Sequence, residues 1–170
     1  MATPDFDNIV GGPAQFLLDD TEIGHTAGGI SAKITPNQRM VTVDQFGNSE
    51  CNVRHQGDVV RMTVPFAEWT VTTLPEVYNP GRDQTTGGGT GKYLGIGRSA
   101  GYIYTTADAK IVPRLSADSA KKLQFWRATP IGEFELAFNN EDDRIFNTEF
   151  ACLVDESKTD GELVGKILVN

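Results

Sequence analysis

The run GDVVRMTVPFAEWTVTTLPEVY, residues 57–78, decides the fold, because its hydrophobic period changes part-way along. From Val59 to Val64 apolar and polar residues alternate. Val60, Met62 and Val64 share one face, and Arg61 and Thr63 share the other. That is the period of two of a half-buried strand. From Phe66 onward, Trp69, Thr70, Thr73, Leu74 and Val77 recur at three- and four-residue spacing, which predicts an amphipathic helix from Phe66 to Tyr78. Thr63 or Thr70 is positioned as its cap, and Pro75, lacking an N–H, kinks or ends it.

Outward from this run, the sequence reads as strands. Gln15 to Leu18, the acidic turn Asp19-Asp20 and Glu22 to His25 form a predicted hairpin, and Gly28-Gly29 leads into a strand from Ile30 to Ile34. Arg39 to Gln45 alternates, and Phe46-Gly47-Asn48 closes a turn. Further strands are predicted at 102–106, 109–112, 122–128, 133–138, 144–154 and 163–169, with one helical turn at 116–121. The expectation is a mainly β, antiparallel sandwich or barrel with one packed helix, forming a single domain over 1–170.

The stretch GGGTGKYLGIGRSAG, residues 87–101, contains two nucleotide-motif look-alikes. A phosphate loop needs Gly five positions before its Gly-Lys pair and Ser or Thr after the Lys. Here those positions hold Thr86 and Tyr93. Gly95, Gly97 and Ala100, with Asp118 downstream, match a dinucleotide fingerprint in spacing only. That fingerprint works where a strand gives way to a helix N-terminus, whereas the next segment here, Tyr102 to Thr106, is aromatic and β-branched. The stretch from Asn79 to Arg98 therefore reads as a long glycine-rich loop, a length that in a compact domain points to function or disorder.

Charge and composition narrow the function. The chain has 170 residues, 15 basic and 23 acidic, with net charge −8, which disfavours tight binding of nucleic-acid phosphates. No apolar run approaches the 18 residues of a membrane span, and the acidic start MATPDFDNIVGG lacks a signal-peptide pattern, so a soluble, unsecreted chain is expected. Cys51 and Cys152 are too far apart for a CxxC or zinc motif and are read as two reduced thiols. His25 and His55 sit in no catalytic motif and are read as polar residues at strand ends. Glu141-Asp142-Asp143 reads as a solvated hairpin tip rather than a calcium loop. Glu133 and Glu135 lie opposite Phe134, Leu136 and Phe138. With Asn147 and Glu149 on the next strand they make an acidic stripe on the non-core face.

The order of elements resembles the major tail tube proteins of long-tailed, non-contractile bacteriophages. The resemblance is carried by GGPAQFLL (11–18), EIGHTAGG (22–29), GDVVRMTVP (57–65), FWRATP (125–130), GEFELAF (132–138) and DRIFNTEF (143–150), with Asp155 and Gly161 after them. It covers nearly the whole chain as element order and short phrases, and the stretch from Asn79 to Arg98 departs from it. The resemblance implies a virion structural protein, assembled in the host cytoplasm, without enzymatic activity or cofactor. Its subunits form hexameric rings that stack into a tube for DNA exit, with tape-measure, tail terminator and distal tail proteins as partners. On that reading Arg82, Gly87, Gly88, Gly89, Lys92, Tyr93 and Arg98 belong to a loop that meets the next subunit or ring, and Glu133, Glu135, Asn147 and Glu149 are candidates for the lumen. A tail terminator, head–tail adaptor or capsid decoration protein is the alternative, and a β-sandwich ligand-binding module or hydrolase is the third reading. Calorimetry with ATP, GTP and NAD is expected to show no saturable binding; micromolar affinity abolished by Lys92→Ala contradicts the reading of residues 87–101.

Overall fold

The computed structural model describes residues 12–68, 70, 73–79, 82–85, 92–133 and 145–169. In chain order the strands are β1 (Ala14–Leu18), β2 (Thr21–Glu22), β3 (Ser31–Thr42) and β4 (Glu50–Phe66). A four-residue helix α1 (Leu74–Val77) comes next, then β5 (Arg82–Thr85), β6 (Lys92–Gly95), β7 (Ala107–Pro113), β8 (Leu123–Ile131), β9 (Phe146–Leu153) and β10 (Gly165–Ile167). Eight strands form one antiparallel sheet in the order β2-β1-β7-β8-β9-β4-β3, with β10 on β8; β5 and β6 pair separately.

The first hairpin forms at the predicted turn, although its second strand is Thr21–Glu22 rather than Glu22 to His25. Asp19 and Asp20 both take positive φ, 46° and 63°, the geometry of a two-residue turn whose twist matches the strands it joins. β1 then pairs with β7, placing Phe16 in the core beside Phe150 of β9, with ring centroids 5.1 Å apart, and Phe66 of β4, at 6.0 Å. First and last parts of the sheet thus meet through aromatic rings, so the sheet curls over its own core. After β2, Thr26 makes one bridge to Phe66, and Ala27 N–H donates to the Pro65 carbonyl. The curl brings these edges together without closing a barrel, which corrects the barrel form of the expected architecture.

The predicted helix from Phe66 to Tyr78 is corrected too. Phe66 is the last residue of β4 and fully buried, and among the described residues of this segment only Leu74–Val77 is helical. Thr70-Val-Thr-Thr73 is β-branched throughout, and threonine hydroxyls compete for local backbone groups. Here Thr70 N–H donates to Thr73 Oγ1 and Thr73 N–H to Thr70 Oγ1, each at 3.1 Å, fixing a turn in place of a helical stripe. Pro75 is accepted because it falls in the first turn of α1, where its missing N–H has no intrahelical partner to lose.

Two other expectations change. The strands predicted at 30–34 and 39–45 are parts of one continuous strand, β3, which ends at Thr42 before the 3-10 turn Asp44–Phe46, and residues 102–106 are not a strand despite their composition. The nearby edges are taken, since β7 lies between β1 and β8 and β8 between β7 and β9. Asn79 holds the segment instead: its Nδ2 donates to the Thr105 carbonyl at 2.8 Å and to Thr129 Oγ1 at 3.2 Å, while its Oδ1 accepts from Thr105 N–H at 3.2 Å.

β10 reaches β8 only because residue 165 is glycine. A Cβ there would lie 2.3 Å from the Gln124 carbonyl oxygen and 2.7 Å from the Phe125 ring. Gly165→Ala is expected to lower stability by about 1–3 kcal/mol, the usual cost of forcing a group into an occupied site. Urea denaturation monitored by Trp126 fluorescence checks this; an unchanged midpoint contradicts it.

Candidate functional site

β4 is seventeen residues long, and only part of it belongs to the body of the sheet. Val60 to Phe66 pairs with β9 on one side and, as far as Thr63, with β3 on the other. From Glu50 to Val59 the pairing is with β3 alone. At about 3.3 Å per residue, these ten residues of β4 carry a two-stranded arm roughly 30 Å beyond the sheet. A short 3-10 turn, Asp44–Phe46, and Gly47 close its tip.

Register determines which side chains share a face of the arm, because residues directly opposite each other in an antiparallel pair point the same way. The face continuous with the core carries Ile34 opposite Val60, Pro36 opposite Asp58, Gln38 opposite His55, Met40 opposite Val53 and Thr42 opposite Glu50. The outer face carries Lys33 opposite Arg61 and Arg39 opposite Arg54. Between Pro36 and Gln38 the register shifts, so that Asn37 stands against both Gln56 and Gly57. Gly57 has φ 106°, a conformation that an L side chain rarely adopts.

The arm leaves apolar surface open. Met40 is 46% exposed, Val53 51% and Phe46 at the tip 67%. At its root, a groove of about 640 Å³ separates the core-side face from the segment leading into β10. Ile34, Val60, Phe125 and Val154 supply apolar lining, while Asp58, Asp160 and Glu162 bring three carboxylates. His55 Nε2 lies 3.4 Å from Asp58 Oδ2 at this groove, and His25 Nε2 lies 3.7 Å from Glu68 Oε1 elsewhere. Both imidazoles are exposed.

The residues singled out from the sequence are spread over several elements. Asn147 and Glu149 are exposed on β9, opposite buried Phe146, Thr148 and Phe150, as their alternation predicts. Glu149 Oε1 lies 3.4 Å from Arg61 Nε, so this part of the acidic stripe has a cation beside it that the reading of single strands missed. Glu133 is exposed just beyond the end of β8, and Glu135 lies outside the described residues. The stretch from Asn79 to Arg98 contains the β5–β6 hairpin, with Arg82 opposite Gly95 and Thr85 opposite Lys92. Tyr93 is also in β6, and the Arg98 guanidinium lies 4.7 Å over the Tyr102 ring. Gly87, Gly88 and Gly89 lie outside the described residues, as do Glu141, Asp142 and Asp143. Sequence reading missed the arm itself; its signal was the continuity of β-compatible residues on both sides of the turn at 46–48.

Among the described residues no group of three or more His, Cys, Asp or Glu side chains is arranged to hold a metal ion, and no helix is long and apolar enough to cross a membrane. No family model matches the chain, and no curated protein matches it.

Both thiols are free, with Cys51 exposed on the arm and Cys152 buried on β9, between its partners β4 and β8. Burial pushes the Cys152 thiol up to about 12, against a smaller opposing pull from Arg61. In the native protein one thiol is expected to react with a thiol-specific chromogenic reagent at pH 8 and two after denaturation; two fast native thiols contradict the burial. Because the folded-state value is raised, the contribution of Cys152 to stability is fully present below its ordinary value of 9.0. It is lost as pH rises from there toward about 12.

Proposed function

We propose that this chain is a structural subunit that assembles through its arm and sheet edges into rings, which stack into a tail tube of the long-tailed, non-contractile bacteriophage kind, through which DNA leaves the capsid. The observation that carries the reading is the arm. A two-stranded ribbon is marginally stable in water by itself, and this one projects about 30 Å with an apolar face open to solvent. Its outer strand, β3, has one edge that no other described strand pairs with. Such an edge is a hazard for a lone protein and a joint for one whose neighbours pair with it.

A tube formed in this way needs no catalytic group. The net charge of −8 per copy fits a wall that repels DNA phosphates rather than retaining them. Glu133, Glu135 and Asn147 remain lumen candidates in this proposal, with Glu149 partly neutralised by Arg61. The glycine-rich connection around residues 87–89 is a candidate contact between rings. The groove at the arm's root gives the ligand-binding module a specific observation in its favour, since its volume suits a small molecule.

Electron microscopy and mass photometry over a concentration series test these readings. Tubes are expected from the full chain, and monomers from a variant in which residues 38–55 are replaced by a two-residue turn. Closed rings that never stack favour a terminator or adaptor. Monomers at every concentration, with a ligand carried in the groove, favour the binding module and overturn the tube.

A further inference from the structure

The arm separates its charges by face. Its three cations, Lys33, Arg39 and Arg54, lie on the outer face with Arg61 at the root, while Asp58 and Glu50 lie on the core-side face. Arg39 stands directly opposite Arg54, and Lys33 opposite Arg61. Like charges in that relation repel at about 5 Å between Cβ atoms. Arg61 has Glu149 beside it; Lys33, Arg39 and Arg54 have no ion-pair partner among the described residues. Protection of a free edge accounts for Pro36 and the bulge. It does not account for two facing pairs of cations on one surface of a chain whose net charge is −8.

The complementary surface is on the same molecule but on the other side of the ribbon. Asp58, Asp160 and Glu162 line the groove, and Glu156 is exposed on the loop that leads to it. Lys166 also lines the groove, with its Nζ 4.9 Å from the centroid of the Trp126 ring, and Lys158 Nζ lies 4.4 Å from the same ring. Asp160, Glu162 and Glu156 make no ion pair among the described residues. Because the groove lies against the core-side face of the arm, the outer-face cations of one copy cannot enter the groove of that same copy.

We infer that the outer, cationic face of the arm docks in the acidic groove of a second copy, head to tail. The inference rests on the self-assembly proposed above and names the contact that drives it. Two different complementary patches on one subunit make a heterologous interface, which propagates into a ring when the rotation closes and into a filament when it does not. Duplex DNA is the competing anionic partner for a basic ribbon. The groove is favoured because Asp160 and Glu162 make no ion pair among the described residues and stand in a concave surface that a ribbon can enter.

Charge reversal tests this on the full chain, with mass photometry as the readout. Arg39→Glu with Arg54→Glu is expected to weaken association about tenfold or more, as is Asp160→Arg with Glu162→Arg. All four changes in one chain are expected to restore much of it. Rising salt is expected to weaken the wild-type contact. Far-UV circular dichroism checks folding, and the neutral pair Arg39→Gln with Arg54→Gln gives the same direction of change if a reversed variant misfolds. If the wild type assembles and both reversed variants assemble equally well, the charge contact is wrong while the tube reading stands. A wild type that stays monomeric at every concentration removes both. Measurable binding of a 20-base-pair duplex, lost in Arg39→Glu with Arg54→Glu, assigns the face to DNA and overturns the docking.

Discussion

One strand has to satisfy two environments, and most of the structure depends on how it does so. Over residues 60–66, β4 is locked between neighbours, and Val60, Met62, Val64 and Phe66 enter the core. Over residues 50–59 it has β3 and nothing else among the described strands. The buried half anchors the strand through apolar burial, the dominant favourable term in folding. The projecting half inherits its register and twist from that anchor. Removing the anchor leaves a hairpin too small to hold itself together.

The period-two alternation within residues 59–64 and 146–150 was enough to separate core from solvent faces. Met62 and Phe150, directly paired and fully buried, are the clearest instances. The Asp19-Asp20 turn was equally legible, because few residue pairs suit a turn with two positive φ values. Local composition misled where it met competing demands. Phe66 and Val77 share a helical spacing, but Phe66 is required by the sheet and the threonines between them prefer local hydrogen bonds. Tyr102 to Thr106 has strand composition, yet the adjacent edges are occupied and Asn79 holds the segment otherwise.

The candidate surface was less legible than the fold, for a physical reason. A stripe read along one strand says nothing about what the next strand places beside it. Glu149 looked like part of an acidic face until β4 brought Arg61 within 3.4 Å. Arg39 and Arg54 are ordinary surface residues when read along the chain; only register makes them neighbours. Electrostatic character in a sheet belongs to pairs of strands, and pairing is a tertiary property.

The bulge where Asn37 meets Gln56 and Gly57 has a consequence for shape. It lies between the anchored root and the free end of the arm, so it acts as a fixed elbow, adding bend and twist to everything beyond it. In an assembly joined through the arm, the elbow angle is carried into the angle between successive copies, and small differences there accumulate around a ring. The curvature of such an object would then be encoded in the local geometry of one glycine, whereas the strength of each joint would be encoded in the side chains beyond it. Size and cohesion would be adjustable separately, by changes at different positions on the same two strands.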